Sequence, residues 1–128
     1  MDYETTVQSV LDYIDKRIKD IIRADDLAGF VGYSTFHFSR IFKDLTGIPL
    51  MTYVTYRKFD YAHYDLSCGK QVYDVALDYG WNTHAGFTKA FAKHFGFLPS
   101  ECSSMAAVKP PEKPTIDREK STTKGIIK

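Results

Sequence analysis

Apolar residues recur at helical spacing along most of the first hundred positions. Val7, Val10, Leu11 and Ile14 form one stripe, with Asp12, Asp15, Lys16 and Lys19 on the other face, which predicts an amphipathic packing helix. Ile21 and Ile22 lead into a second pattern. Ala24, Leu27, Ala28 and Val31 fall at i, i+3, i+4 and i+7; after a break at Gly32, Phe38, Ile41, Phe42 and Leu45 do the same. Gly47, Ile48 and Pro49 then stop the helix, glycine suiting the position just past its end and proline being unable to continue it. From about Leu50 to Leu66 runs a segment without Gly or Pro that carries Tyr53, Val54, Phe59 and Ala62, and it reads as a linking helix. Ser67 to Gln71, with Gly69, is a turn. Val72, Val75, Ala76 and Tyr79, a break at Gly80, then Phe87, Ala90 and Phe91 complete the series. The expected class is all-α.

The last pattern repeats an earlier one. Leu27, Ala28 and Gly32 correspond to Val75, Ala76 and Gly80 at an offset of 48, whereas Phe38, Phe42 and Gly47 correspond to Phe87, Phe91 and Gly96 at 49. The second copy therefore carries one extra residue in its turn. This is an internal duplication of two short amphipathic helices joined by a glycine-containing turn. That plan is the helix-turn-helix, whose second helix is built to lie in the DNA major groove. A helical hairpin is a common packing unit in its own right, but two copies with a basic residue in the same register, Arg40 and Lys89, favour nucleic-acid binding.

The outward faces carry the candidate contacts. Asp25 and Asp26 occupy the first turn of the first hairpin and suit the positive end of its dipole. Ser34 can cap the following helix, and that same helix end can approach a phosphate. With Phe38, Ile41, Phe42 and Leu45 inward, the outward face holds Thr35, Phe36, Ser39, Arg40 and Lys43. A guanidinium at Arg40 can donate two bonds to guanine O6 and N7, Ser39 can bond a base edge or phosphate, and Phe36 can meet a thymine methyl. The competing reading makes Arg40 and Lys43 solvated surface and Phe36 satellite core. In the second copy Asn82 or Thr83 can cap, and His84, Ala85, Thr88, Lys89 and Lys93 face outward. Lysine is a point charge rather than a fork, so Lys89 with Ala85 and Gly86 describes a less discriminating reader. Arg57 and Lys58, midway along the linking helix, are candidates for the phosphate backbone.

Charge and composition narrow the partners. The net charge is only +1, but residues 1–30 carry seven acids against four bases, residues 31–100 five against seven, and residues 101–128 four against six. The positive charge thus sits with the repeats and the tail, as a local basic face requires. Cys68 and Cys102 form no Cys-x-x-Cys, and no histidine stands at zinc-finger spacing, so no metal, cofactor or disulfide framework is indicated and a reducing compartment fits. His37, His63, His84 and His94 share no metal spacing, no serine sits in a nucleophile elbow, and no glycine loop precedes a phosphate-binding helix, which argues against an enzyme. There is no signal peptide and no apolar run of membrane-spanning length, so a cytoplasmic protein is expected. The remaining alternative is a helical protein- or ligand-interaction module, its nine Tyr and nine Phe lining a groove and its basic residues forming the rim.

The order Leu27, Ala28, Gly32, Tyr33, Ser34, Phe38, Arg40, Phe42, Lys43 and Gly47, then Tyr53, Ala62 and Leu66, then Ala76, Gly80, Phe87, Lys89, Phe91, Gly96 and Pro99, resembles the DNA-binding domain of the AraC/XylS family of bacterial transcription regulators. The resemblance covers roughly residues 5–102. It implies two helix-turn-helix subdomains, at about 22–47 and 72–97, joined by a long linking helix at about 50–66, and placing recognition helices in successive major grooves of double-stranded promoter or operator DNA. By position, the base-reading residues fall on Phe36, Ser39 and Arg40 in the first unit and on His84, Ala85, Thr88 and Lys89 in the second. It also implies RNA polymerase as a further partner, a nucleoid-associated location, and a small effector acting through a sensor domain. Departures from the family pattern are Arg23 at the first cap, Lys58 where arginine is common, Trp81 after Gly80, and a turn from Leu66 to Val72 about one residue short.

After Ser100 the composition shifts to Pro110, Pro111 and Pro114 among charged residues, then Ser, Thr and Lys. Residues 103–128 are expected to form a charged tail or inter-domain linker without a core pattern. The reading favoured is a fragment whose tail leads into a C-terminal effector domain, with Gly125 to Ile127 beginning a strand; the alternative is a small member that stands alone.

Overall fold

A computed structural model describes residues 2–116, so the strand expected at Gly125 to Ile127 lies outside the described residues. Six α-helices follow one another: α1 (Tyr3–Lys16), α2 (Ala24–Phe30), α3 (Thr35–Thr46), α4 (Leu50–Ser67), α5 (Val72–Asp78) and α6 (His84–Phe95), then a 3₁₀ helix over Pro99–Ser104. The class is all-α, with two helix-turn-helix units and a long helix between them. By contacts the chain divides into one unit of residues 2–18, 22–56 and 112–116 and another of 19–21 and 57–111; α4 runs from the first into the second.

In the first unit the α1 stripe is fully buried at Val7, Val10, Leu11 and Ile14, packed with Leu27, Phe38, Phe42 and Tyr53. Asp2 caps α1, its carboxylate accepting from the Thr5 N–H at 2.7 Å. Phe38, Phe42 and Tyr53 form a chain of tilted rings with centroids 6.1 and 5.7 Å apart, which fixes α3 against the start of α4. In place of a Ser or Thr cap at Arg23, the Asp26 carboxylate reaches back to accept from the Arg23 N–H at 3.3 Å.

The second unit has its own core of Phe59, Ala62, Leu66, Val75, Ala76, Phe87 and Phe91, closed by Cys102, whose burial pushes the thiol pKa up. Trp81 stacks on Phe59 at 6.0 Å and meets Phe87 edge-on at the same distance. Tyr79 donates to the Asp65 carboxylate at 2.7 Å, tying the α5–α6 turn to α4; burial first, then this bond, raises the phenol's pKa.

The duplication extends to individual hydrogen bonds. Gly32 and Gly80, at φ 79° and 90°, end α2 and α5, and the next N–H reaches back five residues in each: Tyr33 to Ala28 O and Trp81 to Ala76 O, both 2.9 Å. This is the six-to-one closure of a Schellman motif, which needs the left-handed conformation that glycine supplies without strain. Both first helices have seven residues and both second helices twelve. The intervening segments are residues 31–34 and 79–83, so the extra residue lies in the second turn.

The tail differs from expectation before residue 116. Pro114 is buried, and the Gln8 side chain on α1 clamps the segment, donating to Pro114 O at 2.9 Å and accepting from the Ile116 N–H at 3.0 Å. A side-chain amide has both a donor and an acceptor, so one residue satisfies two backbone groups of an extended chain. Residues 112–116 accordingly belong to the first unit.

Candidate nucleic-acid interface

The second helix of the first helix-turn-helix is α3. Ser34 is its cap, accepting from the His37 N–H at 3.1 Å. The Thr35 hydroxyl donates to the Asp25 carboxylate at 2.6 Å, which locks the start of α3 to the first turn of α2. With Phe38 and Phe42 fully buried, the helical period turns Phe36, Arg40 and Lys43 outward. Phe36 is 73% exposed, too open for satellite core. Ser39 is half-buried between them. Phe36, Ser39, Arg40, Lys43 and Asp44 line one wall of a groove of about 450 Å³, and Pro49, Leu50 and Met51 at the start of α4 line the other. The groove lining thus combines apolar side chains with two cations, Arg40 and Lys43, and one carboxylate, Asp44. Arg40 makes no hydrogen bond or ion pair among the described residues; its guanidinium lies 5.9 Å from the centroid of the Phe36 ring.

In the second unit α6 holds the equivalent position. Thr83, rather than Asn82, is the cap and accepts from the Gly86 N–H at 3.0 Å. His84, Ala85, Lys89 and Lys93 are exposed along one side. Thr88 departs from the expectation of an outward reader. The residue is half-buried, and its hydroxyl oxygen is shielded from solvent without a hydrogen-bond partner among the described residues.

Arg57 is also corrected. It is 7% exposed, its guanidinium donates to the Asp60 carboxylate at 3.3 Å and lies 5.3 Å from the Tyr61 ring centroid, so these donors serve the unit's interior and not a phosphate. The next residue, Lys58, is half-buried and donates to Asp20 O at 3.0 Å; burial lowers its pKa, against the opposing pull of Asp20. Of the two cations that sequence spacing places on an open helix, Arg57 is buried and Lys58 half-buried with a backbone partner.

Residues 27–104, more than half of the chain, match the family described as a helix-turn-helix domain, and the matched span runs through both copies of the motif. The chain is an AraC-type DNA-binding domain. It is 35% identical over 101 residues to a probable transcription factor of Proteus vulgaris, PqrA, covering 77% of this chain and 83% of the relative. It is 30% identical over 95 residues to the transcriptional activator AarP of Providencia stuartii, covering 73% and 70%. Its fold resembles an AraC-type regulator of Chromobacterium violaceum (TM-score 0.74, 22% identity, 78% of this chain and 90% of that one). It also resembles the C-terminal domain of the response regulator AraT from Geobacillus stearothermophilus (0.73, 22%, 85% and 92%). AraC-type domains are DNA-binding transcription regulators rather than enzymes, and the chain shares that function. Among the described residues no helix is long and apolar enough to cross a membrane.

The groove wall formed by Pro49, Leu50 and Met51 was not visible in the sequence, where these residues read only as a helix stop and a new start. Nor was the Thr35 to Asp25 bond, since it joins two helices across a turn and leaves no periodic trace.

Proposed function

We propose that the chain reads double-stranded promoter or operator DNA with α3 and α6 in successive major grooves, acting in the bacterial cytoplasm at the nucleoid. Arg40 is the principal base reader, donating to guanine O6 and N7, with Phe36 and Ser39 beside it. Ser34 and Lys43 position the helix on phosphates. His84, Ala85 and Lys89 form the second reader, Thr83 and Lys93 its phosphate contacts, and Thr88 contributes its surface without its hydroxyl. The observation that carries this reading is the open outer face of α3, where the Arg40 guanidinium makes no hydrogen bond or ion pair among the described residues. RNA polymerase and a small effector acting through a separate sensor domain complete the regulatory scheme.

The test is a salt titration of binding to a labelled operator duplex. Phosphate contacts release counterions, so log K should fall linearly with log salt, with a slope of about −0.9 for each phosphate neutralised. Binding that ignores salt and persists with a non-nucleic-acid ligand would favour the interaction-module alternative.

A further inference from the structure

Among the positions at which the two copies of the motif differ, one pair lies one helical turn apart on the outer face. In the first, Phe36 and Arg40 stand one helical turn apart with the ring facing the guanidinium at 5.9 Å; in the second, the equivalent residues are Ala85 and Lys89. We infer that Phe36 is a positioning residue for Arg40, a π shelf that holds the guanidinium ready for a base, and that its absence from α6 makes that helix the weaker reader. This rests on the reading of Arg40 as a base contact and names what makes it specific.

The physical argument starts from the helix. Side chains lean toward the N-terminus, so residue i+4 lies back over residue i, and Arg40 is directed onto Phe36. An arginine at a protein surface otherwise samples many rotamers, which have to be given up when it binds. A carboxylate could hold it, and Asp44 lines the same groove, but neither Arg40 nor Asp44 forms an ion pair among the described residues. The difference matters chemically. A carboxylate occupies the fork of N–H donors that guanine would need, whereas an aromatic face attracts the plane of the guanidinium and leaves those in-plane donors free. Arg57 shows the other arrangement, with a guanidinium N–H donating to the Asp60 carboxylate. At 73% exposure Phe36 contributes little to the core, and its ring is open to the guanidinium beside it.

The experiment uses a duplex selected by the wild-type chain from a random library, and the same duplex with the guanine read by Arg40 replaced. The discrimination ratio is the quotient of the two dissociation constants. Phe36→Leu keeps an apolar side chain but removes the π face, and it should lower that ratio about two- to fivefold, the worth of an exposed cation–π contact. Phe36→Tyr should restore the ratio. In an Arg40→Ala background Phe36→Leu should change nothing, and the paired graft of Ala85→Phe with Lys89→Arg should sharpen the second half-site. Unchanged melting would show that each variant folds. The shelf is overturned if Phe36→Leu leaves the ratio intact, or if its effect persists in the Arg40→Ala background, which would mean that the ring contacts DNA independently. A ratio untouched by Arg40→Ala itself would remove the underlying base-reading role, a failure recognisable because it appears in the single Arg40 variant.

Discussion

Arg40 and Lys93 are both exposed cations, one on α3 and one on α6, and the proposed function gives them different work. Arg40 sits beside an exposed ring at the middle of α3 and Lys93 lies in the last turn of α6; on the proposed reading the fork of donors addresses a base edge and the point charge a phosphate. Arg40→Ala should therefore cost about 1–3 kcal/mol of specific binding and relax preference at one base position, while Lys93→Ala should weaken all sequences alike and reduce the salt slope by about 1. Equilibrium titrations on matched and single-base-substituted duplexes distinguish the two. Arg40 was legible because its neighbours Ile41 and Phe42 define the inward face. Arg57 was not, because its partners Asp60 and Tyr61 share its own helix, and spacing cannot say whether an i, i+3 carboxylate will close over a cation or leave it in water. Thr88 is a boundary position, half-buried with its hydroxyl oxygen shielded from solvent, which helical spacing alone does not distinguish from an open one.

At the scale of elements, the same two glycine-broken hairpins appear in sequence and structure because the signal is local: an apolar period, a residue that tolerates left-handed backbone, and a capping hydroxyl. That origin gives two substitutions of opposite sign. A Cβ at Gly80 would meet nothing within 4 Å, so Gly80→Ala is costly only through its φ of 90°, about 1–2 kcal/mol, or roughly 4–8 °C of melting temperature per kcal/mol. Gly29 lies inside α2 with equally open space and no positive φ, and Gly29→Ala should stabilise by about 0.5–1 kcal/mol. Thermal melts of both variants check this, and destabilisation by Gly29→Ala would contradict it.

The packing of α6 on α4 carries a pH dependence. His63 lies 4.9 Å from Phe95 and His94 stacks 5.0 Å from Phe59; burial lowers both pKa values from 6.5, with Asp60 pulling the other way. Between the lowered folded value and 6.5 the unfolded chain binds protons that the folded chain does not, so stability is full above about pH 6.5 and falls as the solution is acidified through that window. Melting temperature should be level above about pH 6.5 and decline as the pH falls below it, and His63→Phe should flatten part of that decline. A profile unchanged by His63→Phe would assign the dependence elsewhere.

At the scale of the whole molecule, the tail shows where a local reading stops. A proline-rich charged segment has no core pattern, yet one amide on α1 draws residues 114–116 back through contacts more than a hundred positions apart in sequence. Gln8→Ala should abolish hydrogen-exchange protection of the Ile116 amide and cost about 1 kcal/mol. The larger expectation concerns the two recognition helices. If each enters a major groove on the same side of the duplex, their base contacts must be separated by one turn of DNA. Selection from a random DNA library by the purified chain at near-physiological salt, followed by sequencing, measures this directly. The account predicts a two-part motif with halves about 10 base pairs apart, the half read by Arg40 the sharper. A single half-site with no second element, or no enrichment at all, would contradict it.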